Sequence, residues 1–296
     1  MSRYGFIGTG SMGSMLIRKF TGTGLVSPGE ITASSKNGIS ARALARENGI
    51  IAAPSNPAVA EDADLLFICV KPLQVRGVLE EVRGVLKEDA LLVSLAGCVS
   101  LANLRDWAGD QIHCVRIIPS VTAEARAGIT LVAWGQDVTP EDKKLVLSLL
   151  NVLGTPVETD ERDFDLSTDL TSCAPALIAA MMQEFAGAAV RTGTIPTDLA
   201  EYLVKETMIG TARILAGGPM KFDDVIRRVA TKGGSTEEGV KVLRARLPDV
   251  MDEVLKELDA KRHLVAEKVA SGEVGSESTP SEVGTKASTP ARGSRK

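Results

Sequence analysis

The apolar run Tyr4-Gly5-Phe6-Ile7 leads directly into Gly8-Thr9-Gly10-Ser11-Met12-Gly13, and this order of strand, glycine turn and helix constrains the chain more than any other stretch. In such a turn the first glycine lets the backbone leave the strand tightly. The second leaves room for a pyrophosphate, and the third lets helix and strand pack closely. The amide end of a helix starting near Ser11 offers unpaired N–H groups and the positive end of a dipole to an anion. With 28 glycines in 296 residues, spacing alone is weak. Its place in the first strand-to-helix unit makes it a dinucleotide signature, and Gly8, Gly10, Ser11, Met12 and Gly13 are the first cofactor-binding candidates.

The next strand, 30–33, ends in Ser34-Ser35-Lys36-Asn37. An NAD site usually has Asp or Glu about 20 residues beyond the glycines, to accept from the ribose hydroxyls. Here the turn offers hydroxyls, an amide and a cation, with no carboxylate of its own to repel a 2′-phosphate. Ser34, Ser35 and Lys36 therefore favour NADP(H) as cofactor, with NAD(H) the alternative.

Continuous apolar runs at 64–70, 90–95 and 113–118 suit strands buried on both faces, and helical stretches at 12–21, 40–48, 74–86 and 101–108 lie between the strands. This alternation predicts an α/β fold, a Rossmann-type doubly wound parallel sheet. A run at 128–133, a helix at 140–153 and Pro156-Val157-Glu158 would extend or flank it, giving a dinucleotide-binding domain over 1–158. Beyond residue 160 the β pattern disappears. Stretches 174–192, 197–216, 221–229, 235–245 and 250–269 read as helices, broken by Gly217-Gly218-Pro219 and Lys232-Gly233-Gly234. An all-helical domain over 159–270 with apolar faces predicts burial against another subunit, as a homodimer or higher homo-oligomer. Residues 271–296, mostly Ser, Thr, Gly, Pro and charge, are expected to be disordered and to carry no chemistry.

A formal charge of −4 leaves no basic footprint for nucleic acid or an anionic membrane. No charged leader precedes an apolar segment, and no apolar run approaches the roughly 18 residues of a membrane span. The expectation is a soluble cytoplasmic protein without membrane or nucleic-acid partners. Cys69, Cys98, Cys114 and Cys173 show neither metal-ligand spacing nor a C-x-x-C pair. They read as buried reduced thiols, and no metal site is expected.

Taken in order, the motifs resemble pyrroline-5-carboxylate reductase across nearly all of 3–269. Phe6-Ile7-Gly8-Thr9-Gly10-Ser11-Met12-Gly13 is similar to that family's opening fingerprint, and Val70-Lys71-Pro72 to its turn beside the cofactor. Asn56, in the loop before a helix, is similar to an asparagine near the adenosine phosphate. Ser94-Leu95-Ala96-Gly97 resembles the strand end beside the nicotinamide ribose. The resemblance thus implies Asn56, Val70, Lys71, Pro72, Ala96 and Gly97 as further cofactor-binding residues. Thr171-Ser172-Cys173-Ala174-Pro175-Ala176 is similar to the segment opening the family's dimer-forming helix. Thr231-Lys232-Gly233-Gly234-Ser235-Thr236 resembles the loop that holds the substrate carboxylate.

On that resemblance Gly234, Ser235 and Thr236 form an anion nest, Ser235 and Thr236 are the catalytic candidates, and the Thr236 hydroxyl lies near the imine nitrogen. Lys232, Gly233, Ser120 and Thr171 join them as substrate-binding candidates. Ser235 also has the spacing to cap a helix with Glu238. The implied function is NADP-dependent reduction of a small cyclic imino acid, 1-pyrroline-5-carboxylate to L-proline. Hydride transfer to a readily protonated imine needs positioning more than a catalytic dyad. Accordingly His113, His263, Lys205, Glu206 and Asp169 are read as structural or helix-surface groups.

The sequence departs from the family in the substrate half. Pro119-Ser120-Val121-Thr122 replaces Pro-Asn-Thr-Pro and removes an amide, Ser172 and Ala174 replace glycines, and Lys232 replaces a proline. This pattern resembles competence-associated paralogues of the reductase. One alternative is therefore a nucleotide-binding regulatory protein with weak or no turnover. A β-hydroxyacid dehydrogenase is a further alternative, disfavoured because 173–184 lacks the lysine such enzymes carry on that helix.

Overall fold

The computed structural model describes residues 3–273. Strands β1 (Tyr4–Ile7), β2 (Ile31–Ser34), β3 (Ile51–Ala52), β4 (Leu65–Ile68), β5 (Leu91–Ser94), β6 (His113–Pro119), β7 (Gly128–Trp134) and β8 (Gly154–Glu158) form one sheet in the order β3-β2-β1-β4-β5-β6-β7-β8. Because side chains alternate across a strand, the continuous apolar runs feed two cores at once. Phe6, Phe67, Val93 and Ile117 face one layer with α1 (Ser11–Gly22), α2 (Ile39–Asn48) and α6 (Pro140–Leu150). Ile7, Ile68, Leu92 and Cys114 face the other, with α3 (Asn56–Ala60), α4 (Pro72–Val82) and α5 (Leu101–Ala108). Phe6 and Phe67 stack with centroids 4.5 Å apart on neighbouring strands.

The expected parallel sheet is extended at one side by β7, which runs antiparallel to β6, and by β8, which pairs parallel with β7. The connection 120–127, built on a 3-10 turn at Val121–Ala125, is too short for the crossover of about a dozen residues that a parallel strand requires. Strand β3 and helix α3 fall below the length at which periodicity is readable. Two helices end earlier than their patterns, α4 at Val82 and α6 at Leu150.

After the sheet come α7 (Glu161–Thr168), a π-helical turn (Asp169–Cys173), α8 (Ala174–Arg191), α9 (Thr197–Ala216), α10 (Phe222–Val229) and α11 (Ser235–Ala270). The expected helices 235–245 and 250–269 are one helix of 36 residues that runs through Pro248. A proline deletes one amide from the ladder, and the strong helix formers on both sides carry the helix past it. The C-terminal end of α11 packs on α4, where Val269 is buried with Val75 and Leu79. By length and composition alone the helical stretch Glu161–Arg191 is long and apolar enough to cross a membrane, although polar and charged residues interrupt its apolar runs. Its apolar side chains are largely uncovered, Phe185 being 71% exposed, and Tyr202, Leu203 and Ile209 of α9 are exposed as well. Most of the tail expected at 271–296 lies outside the described residues.

Candidate functional site

The strand order reverses between β2-β1 and β4-β5, and the crevice at the C-terminal ends of those strands is where α/β sheets bind ligands. Three glycines shape its floor differently. Gly8 has φ +97°, a left-handed turn out of β1, and a Cβ on Gly13 would overlap the carbonyl oxygen of Gly8. A Cβ on Gly10 would meet no protein atom within 4 Å, so this glycine borders open space. Gly10 is the N-cap of α1, no side chain caps it, and the first turn holds no acidic residue. The amide end of α1 thus suits the pyrophosphate of a dinucleotide. A pocket of about 580 Å³ opens beside Thr9, Gly10, Ser11, Ser14 and Arg18. Lys19 Nζ donates to the carbonyl of Glu124 at 2.7 Å, tying α1 to the turn after Ser120.

At the end of β2, the amide of Gly8 donates to the Ser34 carbonyl at 3.1 Å, and Ser34 Oγ donates to Asn56 Oδ1 at 2.8 Å. Asn56 is the first residue of α3, capped by Ser55, rather than a loop residue. Its Nδ2 donates to Glu81 Oε2 at 2.7 Å. A carboxylate therefore stands behind Ser34 and Asn56, contributed by α4 and invisible in the local Ser34–Asn37 pattern. Ser35 Oγ accepts from the amide of Ala41 at 3.3 Å, and Lys36 is exposed. Arg42 lies against Gly38 and donates to the Asn37 carbonyl at 3.3 Å, adding a second cation that the sequence reading missed. A basic residue in the first turn of the helix after β2 was the available signal.

Val70, Lys71 and Pro72 follow β4, with Pro72 at the first position of α4. After β5, Ser94 Oγ accepts from the amide of Ala96 at 3.3 Å, Gly97 faces open space, and Cys98 holds a left-handed φ of +62°. After β6, the buried Ser120 accepts at Oγ from Thr122 Oγ1 at 2.9 Å. Ser172 Oγ donates to the Pro119 carbonyl at 3.4 Å, bringing the π-helical turn to the same edge, while Thr171 Oγ1 donates back to the Ser167 carbonyl at 2.8 Å.

Beneath this edge lie charges the sequence did not reveal. Arg116 is buried on β6, with Nη1 donating to Glu161 Oε1 at 2.9 Å. Asp169, read from sequence as a helix-surface charge, is 2% exposed and accepts from Arg262 of α11. Burial works against the Arg262 charge, but the hydrogen bonds and negative charges of Asp169 and Asp259, with Asp165 beyond them, together outweigh it and raise the guanidinium above its usual range. All four cysteines are free thiols, though only Cys114 is fully buried. Burial pushes the Cys69, Cys98 and Cys173 thiols up, and Cys114 up to about 12. His113 Nδ1 pairs with Asp142 Oδ2 at 2.9 Å, and His263 lies exposed on α11.

The loop Lys232–Thr236 stands apart. Gly233 has φ +78°, and the N-cap of α11 is Gly234 rather than Ser235, so the expected Ser235–Glu238 capping box is absent. Glu237 replaces it, accepting from the Gly233 amide at 2.7 Å, and the Gly234 amide donates to the Thr231 carbonyl at 2.9 Å. Of the expected nest, the amides of Ser235 and Thr236 have no acceptor among the described residues. At about 1.5 Å per residue a helix of 36 residues is roughly 54 Å long, so α11 carries this loop away from the end that rests on α4.

Residues 161–263 match the family model for pyrroline-5-carboxylate reductase dimerisation, and residues 3–97 match that for NADP oxidoreductase, coenzyme F420-dependent. Over 270 residues the chain is 33% identical to pyrroline-5-carboxylate reductase 3 of Bacillus subtilis, covering 91% of this chain and 98% of that protein. The chain belongs to the pyrroline-5-carboxylate reductase family. It is 29% identical over 255 residues to ComE operon protein 4 of Bacillus subtilis, covering 86% of this chain and 93% of that one. A solved pyrroline-5-carboxylate reductase from Coxiella burnetii superposes with a TM-score of 0.78 at 25% identity, over 92% of this chain and 98% of that chain.

As a member of this family the chain is an NAD(P)H-dependent oxidoreductase, with NADP favoured. The dimerisation match also accounts for the uncovered apolar residues of α8 and α9, which homo-oligomerisation covers.

Proposed function

We propose that this pyrroline-5-carboxylate reductase relative reduces 1-pyrroline-5-carboxylate, or a close cyclic imino acid, to L-proline or its analogue, at sites each shared by two copies of the chain. The observation that carries the shared site is the length of α11. Its C-terminal end is docked on the dinucleotide fold, so its N-terminal loop is free to serve a partner's crevice. The working division is a dinucleotide-binding domain over 1–158 and a helical substrate and dimerisation domain over 159–270. The charge of −4 supports an enzyme without nucleic-acid or anionic-membrane partners, and the cytoplasm is its proposed compartment.

When bound, NADPH supplies the hydride that the imine carbon accepts. The amides of Ser11, Met12 and Gly13 hold the pyrophosphate, with Gly8 and Gly10 leaving the space for it. Ser34, Ser35, Lys36 and Arg42 receive the 2′-phosphate, and Asn56 orders Ser34 from behind. Val70, Lys71, Pro72, Ala96 and Gly97 border the remainder of the cofactor. On the substrate side the Ser235 and Thr236 amides hold the carboxylate, helped by the Lys232 cation. Glu237 already places a carboxylate on the Gly233 amide of this loop. The Thr236 hydroxyl is offered to the imine nitrogen, while Ser120 and Thr171 wall the site. Positioning in a near-attack geometry can supply up to about 7–11 kcal/mol of a barrier, so this reading calls for no buried acid.

The test is consumption of NADPH by the purified protein with pyrroline-5-carboxylate, with proline identified as product and NADPH binding measured in parallel. Turnover to proline supports the proposal. Binding without turnover on this or related cyclic imines supports instead a regulatory nucleotide-binding role. That second reading is favoured by Ser120, which replaces the family's asparagine and already accepts from Thr122.

A further inference from the structure

Arg116 is an ionised side chain in the interior of the sheet, 4% exposed, and its place on β6 is directly opposite Ser94 at the end of β5. Its guanidinium lies over the Phe164 ring at 4.5 Å. Nη1 donates to Glu161 Oε1 at 2.9 Å, Nη2 faces Asp165 Oδ1 at 3.5 Å, and Nε is buried without a partner among the described residues. Packing alone does not call for this group. An apolar side chain of similar volume would fill the space without desolvating a charge.

The partner of Arg116 shows what the charge holds. Glu161 Oε1 also accepts the amide of Leu101, the first residue of α5, at 2.7 Å. One carboxylate oxygen thus joins the start of α5, the interior of β6 and the start of α7. The segment 95–100 connects β5 to α5; its far end leads to the Arg116 guanidinium through Glu161, while its near end starts at Ser94, the backbone neighbour of Arg116 in the sheet. Ser94, its strand neighbour, accepts from the Ala96 amide at one end, and Glu161 takes the Leu101 amide at the other. Between them Cys98 has φ +62°, a conformation that a non-glycine residue keeps only where its surroundings fix it.

We propose that Arg116 is a positioning residue for the reductase. Through the shared Glu161 oxygen it fixes Ala96-Gly97-Cys98, and with that loop the nicotinamide end of bound NADPH, in the arrangement hydride transfer requires. This rests on the proposed reductase activity. The adenosine and pyrophosphate ends bind on β1, β2 and α1, which Arg116 does not touch. Its influence is therefore confined to one end of the cofactor.

The test uses the full-length protein with Arg116→Lys, which keeps the charge but lacks the planar fork, and with Glu161→Gln, a milder change at a side chain 37% exposed, should the first variant not fold. Three readouts are compared: affinity for 2′,5′-ADP, which lacks nicotinamide; fluorescence emission of bound NADPH; and kcat and KM with pyrroline-5-carboxylate. The expected result is 2′,5′-ADP affinity within about twofold of the wild type, kcat lower by about 10- to 100-fold, and bound-NADPH emission moved toward that of free NADPH. A purely structural role would leave the emission and the kcat of the folded fraction unchanged, or weaken 2′,5′-ADP in proportion, and either result overturns the proposal. If the wild-type protein does not reduce the imine, the reductase reading falls, while the emission of bound NADPH still decides the role of Arg116.

Discussion

Gly13 lies so close to the carbonyl oxygen of Gly8 that a Cβ at residue 13 would overlap it, whereas the same atom at Gly10 would enter empty space. The two glycines should therefore fail differently. Gly13→Ala forces a backbone oxygen to move and is expected to cost about 1–3 kcal/mol in urea unfolding. Gly10→Val is expected to change stability by no more than about 1 kcal/mol while weakening NADPH binding at least about 100-fold. Near-native NADPH affinity in folded Gly10→Val would remove this turn from the cofactor site.

The proposed sharing of each site between two copies of the chain predicts complementation between subunits. Gly10→Val and Thr236→Ala homodimers should each be nearly inactive, the second with NADPH affinity close to native. Subunits mixed after reversible dissociation should regain about one quarter of wild-type activity. Half of the dimers would be mixed, and each of those would hold one intact site. If mixing restores nothing, both halves of the site come from the same chain.

Asp169 and Arg262 predict a large, mutually dependent stability effect. Arg262→Met leaves Asp169 buried and unpaired, and should cost about 3–5 kcal/mol. Combining it with Asp169→Leu should recover most of that loss, because the desolvated charge is then removed as well. A double variant as unstable as the sum of the two single variants would show that the groups act independently.

Asp64 supplies a pH-dependent term. Burial alone would raise its pKa, but the hydrogen bond from Lys87 at 2.7 Å and that from the Arg3 amide at 2.8 Å outweigh burial and hold it below its ordinary 3.8. A carboxyl lowered by folding contributes stability above its unfolded pKa and loses it as pH falls through the folded value. Since Asp64 and Lys87 are both nearly half exposed, Asp64→Asn should cost less than about 1 kcal/mol at neutral pH. The difference from wild type should vanish in acid, which urea titrations across pH would resolve.

What the sequence made legible was what is local in it. Strand, glycine turn and helix are contiguous in 4–22, and α5 and α9 show their ends because Ser100 caps one and Pro196 and Gly217 bracket the other. Helix α7 hid because Phe164 is its only fully buried side chain, and the two helices expected at 235–245 and 250–269 are one because the chain continues helically through Pro248. Glu81, Arg116 and Asp169 could not be read at all. Each looks like an ordinary charged residue, and only the folded chain brings Asn56, Glu161 or Arg262 to it.

Because α11 is fixed on α4 at one end and carries Ser235 and Thr236 at the other, its length acts as a ruler for where those residues stand. Each inserted residue would shift the loop by about 1.5 Å and turn it by about 100°. A step close to seven residues would bring the loop back to nearly the same face and still carry it about 10 Å along the axis. Any change in the length of α11 must therefore be matched by compensating movement of the surfaces at its two ends.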